Sequence, residues 1–127
     1  MAERKMHLGA FFHPTGHHVT SWRHPRAQAD ANVNIDHYIE ITRTAERGKF
    51  DLVFLADSAA VRDAHIDAIS RSAQYIACFE PLRLLSALAM TTKRIGLVAT
   101  ASTSFNEPYH VARKFASLDH ISGGRAG

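Results

Sequence analysis

The sequence predicts an α/β fold built on a parallel sheet. Residues 51–57 (DLVFLAD) and 94–103 (RIGLVATAST) are strand-like apolar runs. Each ends in polar residues and leads toward a helix, the pattern of successive parallel β/α units whose sites lie at the carboxyl ends of the strands. The runs lack strict alternation of apolar and polar residues, which suits a sheet covered on both faces. A further observation concerns extent. The 127 residues stop after a third helix-like segment, at Gly123-Gly124-Arg125-Ala126-Gly127, whereas a closed β/α barrel needs ~250 residues. Residues 1–127 are therefore expected to be the truncated N-terminal portion, about three β/α units, of a single barrel domain in a larger enzyme.

The elements follow in order. Residues 6–12 (MHLGAFF) read as a short buried first strand that runs into the turn His13-Pro14-Thr15-Gly16. Residues 13–33 form a long polar connection with Pro14, Pro25, four histidines and Trp22; loops of this length inside compact domains are usually functional. Asn34 suits a helix cap. Ile35, Tyr38, Ile39, Thr42 and Ala45 then recur at helical spacing, with Arg43 and Arg47 late in the helix and Gly48 as its stop. Strand two is expected over residues 52–56, followed by a long connection over 58–77 with a short helix around 62–69. Pro81 opens a second long helix with Leu82, Leu85, Leu88 and Ala89 on one face, up to Thr92. Strand three begins at Ile95. Pro108 opens the last helix, whose Tyr109, Ala112, Phe115, Ala116 and Ile121 are roughly helically spaced before Gly123-Gly124 stops it.

Bulk properties narrow the function. A chain with 46% hydrophobic and 21% charged residues is an ordinary soluble globular composition. Its net charge of +3 is scattered in small groups, so no basic stripe for nucleic acid is expected. Cys78 is the single cysteine, which excludes an intrachain disulfide. The apolar start is too short for a signal-peptide core, and no stretch reaches the ~20 apolar residues of a membrane span. The expected location is cytoplasmic.

Asp57 ends strand two, where a carboxylate either meets a ligand or caps its own loop. Thr100, Ser102 and Thr103 end strand three. Their hydroxyls suit a polar heteroaromatic ligand or a phosphate, and equally suit a strand and the turn after it. His13, His17, His18 and His24 crowd the first loop with Trp22, a lining for a flat ligand. Their spacing is poor for a metal, with Asp30 the only close carboxylate, and no metal is expected. His110 lies in the first turn of the last helix, as an anion contact or a plain exposed residue. Neither a Gly-x-Gly-x-x-Gly fingerprint, a Gly-x-Ser-x-Gly elbow nor a P-loop is present.

Four stretches carry a resemblance: LGAFFHPTGHHVTSWRHP (8–25), TAERGKFDLVFLADS (44–58), FEPLRLLSALAMTTKRIGLVATAST (79–103) and NEPYHVARKFASLDHISGGRAG (106–127). In order and spacing they resemble the N-terminal part of the bacterial-luciferase-like flavin-dependent monooxygenases. The branch is that of nitrilotriacetate monooxygenase component A, the pristinamycin IIA synthase large subunit and dibenzothiophene sulfone monooxygenase. The resemblance implies the first units of a (β/α)8 TIM-type barrel. It implies reduced FMN, supplied by a separate NAD(P)H:flavin reductase, and O2 used to oxygenate a small organic substrate, often with C–N or C–S cleavage. It places the cofactor-binding aspartate on Asp57 and a cofactor-binding threonine on Thr103, with Ser102 and Thr100 as register alternatives. Phe12, His17 and Trp22 fall on the substrate side, and catalytic residues are left unassigned. A homo-oligomer is expected for the full-length protein, and no turnover from residues 1–127 alone. Two rivals remain: a metal-dependent barrel hydrolase using the histidine-rich loop, and a non-enzymatic β/α module that binds a flavin or a partner.

Overall fold

The computed structural model describes residues 5–18, 20–60, 65–71 and 76–127. Three parallel strands, β1 (Gly9–Phe11), β2 (Leu52–Leu55) and β3 (Gly96–Ala99), lie side by side in sequence order. Four helices complete the described residues: α1 (Ile35–Arg47), α2 (Ile66–Ile69), α3 (Pro81–Ala89) and α4 (Pro108–Ser122). The expected α/β architecture with parallel crossovers is what the chain adopts. The strands are shorter than their apolar runs, and the expected helix near 62–69 is confined to α2, with residues 61–64 outside the described ones.

Local chemistry sets the helix bounds. The Asn34 side chain accepts a hydrogen bond from His37 N–H and starts α1. Pro81 and Pro108 occupy first-turn positions, where a missing N–H costs nothing. The Glu80 carboxylate caps α3 by accepting from Leu82 and Arg83 N–H. Gly123, at φ 71°, ends α4 in the left-handed conformation that glycine adopts without strain. Gly48 ends α1 as expected, but with φ −72°; the left-handed residue is Lys49, at φ 63°.

Tyr38 and Ala45 of α1, Val53 and Leu55 of β2, the α3 leucines 84, 85 and 88, Leu97 and Leu118 form one core on one face of the sheet. This corrects two expectations. Among the described residues no helix covers the opposite face of the sheet, where Phe11 and Phe54 pack together with centroids 5.3 Å apart and Phe11 is 46% exposed. Period-two alternation puts Phe11, Phe54 and Val98 on that face, in register, and Phe12, Leu55 and Ala99 on the helix-facing side. The buried face of α4 also differs from the expected one. Leu118 and Ser122 are buried, whereas Tyr109 is 71% and Ile121 50% exposed. On α3 it is Leu84 that is buried, with Leu82 only partly so.

The amino end of the sheet is held by charged groups. Glu46 Oε1 accepts from the N–H groups of Lys93, Arg94 and Ile95 at 2.9, 2.6 and 3.1 Å. Burial opposes its charge, but these three bonds outweigh burial and lower its pKa. Arg125 donates to the carbonyls of Ala89, Ile95 and Ser122 at 3.0, 2.9 and 2.7 Å, and to Thr92 Oγ1 at 3.0 Å. One guanidinium thus ties the carboxyl ends of α3 and α4 to the start of β3. Asp51 accepts from Leu8 N–H at 2.7 Å, which lowers its pKa, with His7 adding to the effect. Beyond α4 the backbone at residues 125–127 turns parallel to β3: Leu97 N–H donates to Arg125, Gly127 N–H to Leu97, and Ala99 N–H to Gly127. A side chain at Gly96 would meet Asp51 O and Leu52 Cβ at 3.2 Å, and one at Gly9 would meet Leu52 Cδ1 at 3.0 Å.

Candidate functional site

At the carboxyl edge of the sheet, pairing continues briefly past the strands. Phe12 N–H donates to Phe54 O at 3.1 Å, and Thr100 N–H to Leu55 O at 3.0 Å. The chain then leaves the sheet. Asp57 stands two residues beyond β2, exposed, with no hydrogen bond or ion pair among the described residues. Ser58 steadies the turn, its hydroxyl donating to Ala60 O at 3.1 Å. Thr100 and Ser102 are half-buried and Thr103 is exposed, in the segment between β3 and α4. Asn106 fixes that segment by donating to Ser102 O at 2.9 Å. Asp57 and the three hydroxyl residues therefore sit at the same end of two adjacent strands.

A cleft of about 260 Å³ opens at this edge, on the helix-facing side. Phe12, Leu55, Phe79 and Leu84 supply apolar walls, with Asp57 and Cys78 also on the lining. Its volume falls just below the ~300 Å³ at which small-molecule pockets begin. Tyr38 faces it from the first turn of α1, with Phe79 edge-on at 6.1 Å. Tyr38 is 5% exposed as a residue, while the buried side-chain oxygen that lacks a partner among the described residues is Thr15 Oγ1. Burial, reinforced by nearby Cys78, pushes the phenol up to about 12. Burial raises Cys78 too, with Asp57 contributing. Both groups are thus neutral at ordinary pH.

The first loop reaches the other face. His17 stands edge-on to Phe11 at 5.3 Å and 5.0 Å from His13. Phe12 and His17, expected together, thus belong to opposite sides of the sheet, and His13 spans both, since it also lines the cleft. Trp22 lies in a 3₁₀ turn (Ser21–Arg23) with the Arg23 guanidinium over its ring at 5.0 Å. Among the described residues no three of His, Cys, Asp and Glu gather closely enough to hold a metal ion. His110 is exposed in a groove of about 290 Å³ between α3 and α4, with Arg83, Arg113 and Lys114. That groove runs between the amino-terminal halves of the two helices.

Tyr38 and Cys78 also line the cleft, which the sequence reading did not foresee. In the sequence Tyr38 reads as one more apolar position on α1, and Cys78 lies in a stretch without periodicity. The available signal was that an α1 first-turn residue must return to the carboxyl edge, because crossover helices run antiparallel to their strands.

A family model described as luciferase-like monooxygenase matches residues 14–127. The chain belongs to this family. Among curated luciferase-like relatives, it is 53% identical over 126 residues to the N-acetyl-S-(2-succino)cysteine monooxygenase of Bacillus subtilis (strain 168), covering 98% of the chain and 27% of that protein. It is 51% identical over 132 residues to nitrilotriacetate monooxygenase component A of Aminobacter aminovorans, covering 99% and 29%. The solved structure of a riboflavin lyase with a modified FMN and riboflavin matches with a TM-score of 0.81 at 32% identity, covering 98% and 29%. The chain thus spans less than a third of the length of these relatives. Its fold is that of part of the luciferase-like TIM barrels. No helix among the described residues is long and apolar enough to cross a membrane.

Proposed function

We propose that residues 1–127 form the N-terminal portion of a single (β/α)8 barrel domain in the oxygenating component of a two-component FMN-dependent monooxygenase. The observation that carries this is the 53% identity to a named monooxygenase across 98% of the chain. The word "component" in the name of the nitrilotriacetate enzyme supports a separate NAD(P)H:flavin reductase as partner. The FMN of the riboflavin lyase structure supports the cofactor. Activity belongs, in this reading, to a longer protein that acts as a homo-oligomer.

The residues present suit a flavin. The cleft offers flat apolar walls, with the Asp57 carboxylate, unengaged among the described residues, on its lining. Asp57 accepts a ring N–H, and Thr103, with Ser102 and Thr100 beside it, donates hydroxyls to the cofactor. When bound, reduced FMN supplies the electrons that activate O2. The protein's part is orientation and exclusion of water, with Phe12 walling the cleft, and with His17, on the other face of the sheet, and Trp22 bordering the substrate space.

The substrate is a small organic carboxylate with an amine or thioether, cleaved at C–N or C–S. Two relatives carry such substrates in their names. In this chain residues 13–29 contain no acidic side chain, and Arg23 and Arg26 form no ion pair among the described residues. The test is titration of the full-length protein with FMN, followed by turnover with a reductase, NADH and O2. Substrate oxygenation above the reductase-only control is expected. FMN that fails to bind, or turnover that persists without flavin, overturns the reading.

A further inference from the structure

We propose that the groove between α3 and α4 is a docking site for an acidic surface segment of the flavin reductase that supplies the reduced cofactor. This rests on the two-component reading above and gives that partner a place on the molecule. The groove is built by two facing helix stripes. His110, Arg113 and Lys114 stand at i, i+3 and i+4 on α4, opposite Arg83 on α3, around a cavity of about 290 Å³. Glu80 is the one carboxylate on the described lining, and it is already engaged. Its oxygens accept from Leu82 and Arg83 N–H and from the Arg83 guanidinium at 3.2 Å. The Arg113 guanidinium makes no hydrogen bond or ion pair among the described residues.

Charge and position choose the occupant. Three fixed cations and an imidazole, against one engaged carboxylate, call for a negatively charged partner. All four of these side chains are exposed, which suits a protein segment better than a small molecule that a pocket must enclose. A second copy of the chain would bring the same excess of cations to an isologous contact, and like charges would oppose it. The groove also adjoins the candidate cofactor segment. Lys114 Nζ donates to Asn106 Oδ1 at 3.5 Å, and Asn106 Nδ2 donates to Ser102 O at 2.9 Å. One asparagine therefore joins a groove cation to the segment that carries Thr100, Ser102 and Thr103. A reductase seated here releases its flavin beside the edge that receives it, and the opposite charges speed the encounter.

The test is Arg113→Glu in the full-length protein, with wild type and Arg113→Lys alongside. The probe is the NAD(P)H:flavin reductase of the same organism, titrated calorimetrically at low and raised salt. Turnover is measured twice, once driven by the reductase and once by FMN reduced with light in its absence. Arg113 holds no partner of its own, so the melting temperature is expected to stay unchanged. Reductase affinity is expected to fall about tenfold in Arg113→Glu and to stay near wild type in Arg113→Lys, with the difference shrinking as salt rises. Turnover with light-reduced FMN is expected to be equal in all three. Equal reductase affinity in wild type and Arg113→Glu overturns the proposal. So does a wild type that turns over light-reduced FMN yet never associates with the reductase; the flavin reading then stands without this docking site. An altered oligomeric state in Arg113→Glu also overturns it, assigning the groove to a second copy. Wild type that oxygenates nothing with light-reduced FMN removes the two-component reading itself, and this proposal with it.

Discussion

The two ends of the sheet use the same kind of side chain in opposite ways. At the amino end, Glu46 and Asp51 are carboxylates whose oxygens accept backbone N–H groups. At the carboxyl end, Asp57 also follows an apolar run, but its carboxylate accepts no hydrogen bond among the described residues. The amino end satisfies its polar groups internally and holds helices to strands. The carboxyl end leaves the Asp57 carboxylate unengaged among the described residues. In β/α proteins this division of labour is general, with stability at one end and chemistry at the other.

The sharpest way to break the comparison is Arg125→Ala. It strips partners from the carbonyls of Ala89, Ile95 and Ser122 together. A loss of about 3 kcal/mol or more is expected from several charge-assisted bonds and their abandoned acceptors. Chemical denaturation checks it, and FMN affinity per folded molecule should not change. Asp57→Ala is the mirror case. FMN binding should weaken by about tenfold to a hundredfold, roughly 1–3 kcal/mol, while the denaturation midpoint stays put. A lower midpoint with intact FMN binding would make Asp57 a loop cap.

Glu46→Gln keeps an acceptor but loses its charge, and is expected to cost about 1–2 kcal/mol. Its pH dependence follows from the lowered pKa of Glu46. The stabilisation is complete above the unfolded-chain value of about 4.3 and disappears as pH falls through the lower folded value. Stability curves of wild type and Glu46→Gln should therefore converge in acid; parallel curves would remove Glu46 from the amino-end network. The smallest effect is expected from Thr103→Ala, a threefold to tenfold loss of FMN affinity, about 0.6–1.4 kcal/mol, by fluorescence titration. No effect at Thr103 with an effect at Thr100 or Ser102 would correct the register within that segment.

What could be read in the sequence was local. Asn34, Pro81, Pro108 and Gly123 each signal a helix end through their own backbone or side-chain chemistry, and each stands where expected. Asp57 and the hydroxyls after β3 were visible because strand ends are where α/β ligands bind. What stayed hidden depends on partners far along the chain. Arg125 looked like one cation in a glycine-rich end, yet its partners lie 30 to 36 residues away at Ile95 and Ala89. Ser122 is buried because its Oγ accepts Arg125 N–H, so apolar spacing misjudged that face of α4. The alternation in β2 was masked because its outward face carries Leu52 and Phe54, apolar residues no described helix covers.

Leu52 carries a last consequence. Its neighbours across the sheet are Gly9 and Gly96, and its side chain occupies the room that a Cβ at either would need. At Gly96 the obstruction includes the carbonyl oxygen of Asp51, which cannot rotate away. One leucine therefore acts as a spacer for three strands: it sets how closely they can approach at the base of the sheet and makes glycine on both sides the condition of its own size.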